Sequence, residues 1–238
     1  MKTVLIFAIL FIVFTVIGTL THELGHYSAG KSLGLNCTLH YASCRCLSDA
    51  QVERNNYRKM LSNNYENRDL IPAELWDKYQ ELVEKATPNK NRLWVTIGGP
   101  LQTILTGTIG FLLLVMRSQK NKIQFQKFDW LLVFLSLFWL REPFNLFFVA
   151  AQNLILGGDS YFGSTGDEVK ISRGLNLWDG TVPIVLGVIG LVISLIVIFK
   201  FVPISKRKSL IWGGLIGGIS GFISVSYTHL TLPTIYSV

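Results

Sequence analysis

Five stretches of this 238-residue chain, at roughly 4–28, 94–116, 130–156, 182–202 and 210–226, are apolar over the length needed to cross a bilayer. Nothing else in the sequence restricts the fold so severely. In lipid every backbone N–H and C=O needs an internal partner, so such runs must be helices. A single water-soluble domain has too little interior to hide this many long helices that are apolar on all sides. The expected fold class is therefore all-α: a polytopic helical membrane protein with about five transmembrane helices and one polar extramembrane segment. Its composition agrees, with 50% hydrophobic residues, 16% charged residues and a mean hydropathy of +0.40.

Charge is distributed unevenly between the connections. Arg117, Lys120, Lys122 and Lys127 follow the second run, and Lys206, Arg207 and Lys208 follow the fourth. The connection after the third run carries Asp159, Asp167, Glu168 and Asp179 against Lys170 and Arg173. The positive-inside rule places the N-terminus in the cytoplasm. The basic loops, part of a net charge of +7, read as topology signals and contacts to anionic lipid headgroups. No basic patch is interleaved with aromatics, so nucleic acid is not an expected partner. Lys2 and the apolar run behind it would suit a secretory signal peptide, but no A-x-A-like cleavage site follows. The expected location is a multi-pass position in the cell membrane of a prokaryote.

Four regions follow. Residues 1–30 hold the first transmembrane helix, 31–93 the polar segment, 94–224 the remaining bundle, and 225–238 a tail. In the polar segment, Pro72 to Ala86 reads as an amphipathic helix with Leu75, Tyr79, Leu82 and Val83 on one face. Gly213, Gly217 and Gly221 recur at four-residue spacing, a face for close helix packing. The stretch "VSYTHLTLPT", Val225 to Thr234, resembles a sequencing-library adapter translated in one frame. The expectation is that it breaks off the last span and that the natural sequence stops near Ser224.

The first apolar run ends in "THELGHYSAG", Thr21 to Gly30. His22 and His26 are four apart, so on a helix both imidazoles project from one face, one turn apart. Two neutral imidazoles at that spacing can share a zinc ion. Glu23, beside the first of them, is placed to take a proton from a water activated by the metal. A chance H-E-x-x-H in a chain this long has odds on the order of one in a hundred. Ionisable side chains at a membrane-helix end are costly and usually functional.

A transmembrane helix bearing "HELGH", then a span opening on "GGPL", then an Asn-to-Asp segment after a third span resembles the site-2 protease family of intramembrane zinc metalloproteases, peptidase family M50. The likeness covers residues 5 to 175 or so. It implies Zn2+ as cofactor, Glu23 as catalytic base, His22 and His26 as ligands, and a third ligand from an aspartate. Two aspartates compete in "NLILGGDSYFGSTGDEVKIS", Asn153 to Ser172. Asp159 is nearer to Asn153; Asp167 opens the better helix and is favoured. The segment lacks the family's Asn-x-x-Pro and Asp-Gly, and Thr103 stands where the family has asparagine. The activity implied is hydrolysis of peptide bonds in or near membrane-spanning segments of a transmembrane protein substrate. The alternative is a non-proteolytic binding or regulatory protein on the same scaffold.

One check is independent of the family. His22 and His26 lie at the exit of the first span and both aspartates beyond the exit of the third, so all can meet on one side. The charge rule puts that side outside the cytoplasm, whereas the resemblance implies a site near the cytoplasmic face, as in many bacterial relatives, so both orientations stay open. In the third span Arg141, Asn145 and Gln152, with Asn153 beyond, form a polar face suited to substrate or supporting contacts, and Pro143 should kink the helix. Glu142 is a poor same-face partner for Arg141. Cys37, His40, Cys44 and Cys46 follow the metal helix. They read as free thiols or as one disulfide with an odd cysteine, and less readily as a second zinc site.

Overall fold

The computed structural model describes residues 1–86, 91–120, 125–156, 162 and 166–231. Four helical segments among them are long and apolar enough to cross a membrane: Lys2–Ser32, Arg92–Gln119, Lys127–Ile155 and Thr181–Phe201. The first is helix α1, Lys2–Ser32. After it come the strands β1, Asn36–His40, and β2, Ser43–Leu47, which pair antiparallel as a two-stranded hairpin. Then follow α2, Asp49–Asn64, α3, Ala73–Lys85, and α4, Arg92–Lys120.

The polar segment thus holds more than one amphipathic helix, and all-α describes the bundle rather than every element. Ser48 caps α2 through a reciprocal capping box with Gln51. Pro72 stands just outside α3 as its N-cap, where its missing N–H costs nothing. Leu75, Tyr79 and Leu82 turn inward with Trp76, while Val83, expected on that face, stays exposed.

The third membrane-length segment is not one kinked helix. It comprises α5, Lys127–Ser136, a 3-10 turn over Leu137–Leu140, and α6, Arg141–Leu156. Pro143 has no N–H to offer Trp139 four residues back, so the ladder fails one turn before the proline itself. Trp139 O and Pro143 Cδ lie against Gly190, where a side chain would collide with both. Gly190 belongs to α8, Thr181–Ile196, which a π turn extends to Phe201. Between α6 and α8 lies the short helix α7, Asp167–Gly174.

The last helix, α9, Ile204–Thr231, contains the fifth run and continues past Ser224 instead of breaking off there. Gly213, Gly217 and Gly221 face Phe7, Ala8 and Thr15 of α1, so the four-residue glycine spacing serves close packing of these two helices. The core gathers Phe7, Leu114, Leu132, Val133, Phe134, Leu137, Val197 and Leu210. Outer faces are also apolar: Leu5, Ile9, Val13 and Ile17 of α1, and Val185, Val188 and Val192 of α8, are exposed. Apolar faces of that extent mark surfaces that meet lipid or a partner protein.

Candidate metal centre

Helix α1 places His22 and His26 against α4, and a pair of glycines sets how closely the two helices approach. Gly25, inside the motif, lies on the backbone of Gly98, and a Cβ on either would strike the other's carbonyl. That contact brings Val95, Gly99 and Thr103 of α4 up to the imidazoles. Helix α7 then presents Asp167 from its first turn, a favourable end for an anion. Ser172 ties α7 to α8 by accepting the Val182 N–H at 3.1 Å and donating to Glu168 O at 3.1 Å.

Three potential ligand atoms converge. Asp167 Oδ2 is 3.2 Å from His22 Nε2 and 3.1 Å from His26 Nε2, and the two Nε2 atoms are 3.2 Å apart. Four-coordinate zinc with bonds of about 2.0–2.1 Å needs ligand atoms about 3.3 Å apart, so the triangle has the right size.

The protons on the rings follow from their other contacts. His26 Nδ1 is 2.7 Å from Val95 O, and a carbonyl can only accept, so Nδ1 carries the proton. The Gly99 N–H, 3.3 Å from the same nitrogen, cannot then donate to it. Thr103 Oγ1 is 3.0 Å from His22 Nδ1 and 3.3 Å from Gly99 O. Its hydroxyl donates to that carbonyl and accepts from Nδ1–H. When neutral, both histidines therefore turn an unprotonated Nε2 towards one spot, facing each other and a carboxylate. Lone pairs facing at 3.1–3.2 Å repel unless a cation lies among them, or unless one ring takes a second proton. One proton serves a single edge of the triangle well; a metal ion serves all three.

Gly99 completes the cradle. A Cβ there would fall between His22 Nε2 and His26 Nε2, in the space an ion needs. Glu23 is buried, and a carboxylate oxygen lies within 4.8 Å of a ring nitrogen of each histidine. One water spans that separation. Burial by itself pushes the Asp167 carboxyl up, yet its contacts with His22 and His26 outweigh burial and hold it below the usual carboxylate range.

The other expected residues are distributed unevenly. Asp159 and the Gln152 side chain lie outside the described residues. Arg141 is near enough for its charge to be felt at His22. Asn145 and Asn153 are half-buried, and among the described residues no hydrogen bond joins either to the imidazoles. Asp179, the one aspartate followed by glycine, forms a bidentate ion pair with Arg173 at the surface, at 3.0 and 2.6 Å.

Sequence reasoning passed over two groups. Glu142 is 2% exposed and lies close enough to Glu168, the neighbour of Asp167, to feel its charge. The available signal was an acid inside an apolar run beside a proline. Thr103 was noted only as a departure from a family pattern, and its hydroxyl sets a tautomer. Thr103→Val keeps the volume and removes the acceptor. It should weaken metal affinity about 10–100-fold, measurable by competition with a chromophoric chelator.

The cysteine loop takes the form of one disulfide with an odd cysteine. Cys37 and Cys46, partners in the hairpin register, are joined by a disulfide, and Cys44 is the odd thiol. Two of the four candidate ligands of a second zinc site are thereby consumed. No family model, curated protein or solved structure matches the chain.

Proposed function

We propose that this chain is an integral-membrane zinc metallopeptidase that cuts peptide bonds in or near membrane-spanning segments. The observation that carries the reading is the close triangle of His22 Nε2, His26 Nε2 and Asp167 Oδ2, with a Glu23 oxygen within 4.8 Å of a ring nitrogen of each histidine. The resemblance of "HELGH" and "GGPL" to the site-2 protease family supports it. So do the four membrane-length helices.

In this reading His22, His26 and Asp167 hold the ion. Bound zinc supplies Lewis-acid polarisation of the scissile carbonyl and activation of water at neutral pH. Glu23 takes the proton as the water oxygen joins the carbonyl carbon, then returns it to the departing amide nitrogen as the C–N bond breaks. Val95 and Thr103 keep both rings in the ligating tautomer throughout. A helical substrate shields each carbonyl by its own hydrogen bond, so the preferred sites are segments weakened by glycine, proline or polar residues.

The test is cleavage of membrane-spanning peptides by the purified protein in detergent. Cleavage that a chelator stops and zinc restores, at peptides with helix-weakening residues, is the expected result. Zinc-loaded protein that cuts none of a broad panel would leave the non-proteolytic reading, which the lack of Asp-Gly between Asn153 and Ser172 favours.

A further inference from the structure

Gly30 lies one turn beyond His26 on the stripe of α1 that carries His22 and His26. The Cys37–Cys46 disulfide rests directly on it: a Cβ at Gly30 would collide with both sulfurs. Cys46 Sγ is also 3.9 Å from the carbonyl of His26. Cys44, two residues earlier on β2, lies 3.7 Å from Cys46 Sγ and close enough to Glu23 to feel its charge. The β2 face thus covers α1 from Glu23 to Gly30, and Glu23 and His26 beneath it are buried.

We propose that the Cys37–Cys46 disulfide is a reducible strap that seats the hairpin on the metal helix and so controls access to the centre formed by His22, Glu23 and His26. Reduction frees the two sulfurs to separate, and Gly30 leaves them no room to move inward, so they part away from α1 and the hairpin loosens from its seat. The step is a two-electron one. A dithiol reductant donates two electrons and two protons, the S–S bond breaks to give the Cys37 and Cys46 thiols, and the reductant closes to its own disulfide.

Cys44 does not short-circuit the strap. Burial, then the Glu23 charge, pushes its thiol up to about 11, and a thiol kept protonated is a poor attacker of Cys46. What the centre does rests on the reading above; the movement of the hairpin does not.

The experiment uses the full chain in detergent. Trypsin cutting after the exposed Arg45 in β2 is followed by mass spectrometry with and without a dithiol. Release of bound zinc to a chelator is followed in wild type, Cys37→Ser/Cys46→Ser and Gly30→Ala. The glycine variant keeps the disulfide and blocks only its seat. Reduction should speed cutting at Arg45 at least tenfold, and both variants should release zinc at least tenfold faster than oxidised wild type. Unchanged cutting on reduction overturns the strap. Unchanged zinc release in Gly30→Ala overturns its control of access. If the wild type binds no zinc, the peptidase reading falls, and the trypsin comparison still judges the strap.

Discussion

Glu23→Gln is expected to lower peptide cleavage by about 10²–10⁴-fold while zinc content stays near that of the wild type. Glutamine matches glutamate in shape but cannot accept the proton that leaves the attacking water. The metal should remain if, as proposed, its holders are the two imidazoles and Asp167, whose ligand atoms cluster at 3.1–3.2 Å. His22→Ala is the contrasting variant, since it removes a ligand and should lose both metal and cleavage. Rates and zinc content measured side by side separate the roles. A Glu23→Gln protein that cuts at the wild-type rate assigns the base to another group. One that has lost its zinc makes Glu23 a holder of the metal.

Gly99→Ala should reduce zinc affinity by roughly 10²-fold or more, at least as large as removing a supporting hydrogen bond. The added methyl would stand between the two Nε2 atoms, and neither neighbour can easily retreat. His26 is held by Val95 O and His22 by Thr103, both on the helix that bears the new methyl. Relief would need α4 to withdraw from α1, breaking the Gly25–Gly98 contact. Helix propensity favours alanine over glycine by about 1 kcal/mol, so secondary structure itself is not weakened. Gly218→Ala is the control, because nothing lies within 4 Å of its would-be Cβ. Zinc titration of both variants reads the difference, and equal affinities would remove Gly99 from the cradle.

What could be read without coordinates was whatever depends on neighbours along the chain. Apolar length demands helices because lipid offers backbone groups no partners. The four-residue spacing of His22 and His26 sets both rings on one face because an α-helix repeats every 3.6 residues. The glycine face of α9 obeys the same rule. The third span shows where such rules weaken: Pro143 foretold a disruption, but the ladder gives way at Leu137–Leu140, where packing of Trp139 and Pro143 on Gly190 decides its form.

Everything that completes the centre came from tertiary structure. Two aspartates competed in the sequence, and the fold lays Asp167, 141 residues from His26, against both rings. Val95 acts through a backbone carbonyl, which has no signature in the side-chain alphabet. Gly99 acts by lacking a side chain where two imidazoles meet. Pairing of Cys37 with Cys46 required the hairpin register. Local periodicity fixes which way a side chain points from its own helix; which atoms it meets there depends on how closely distant helices approach, and here two glycines, Gly25 and Gly98, set that distance.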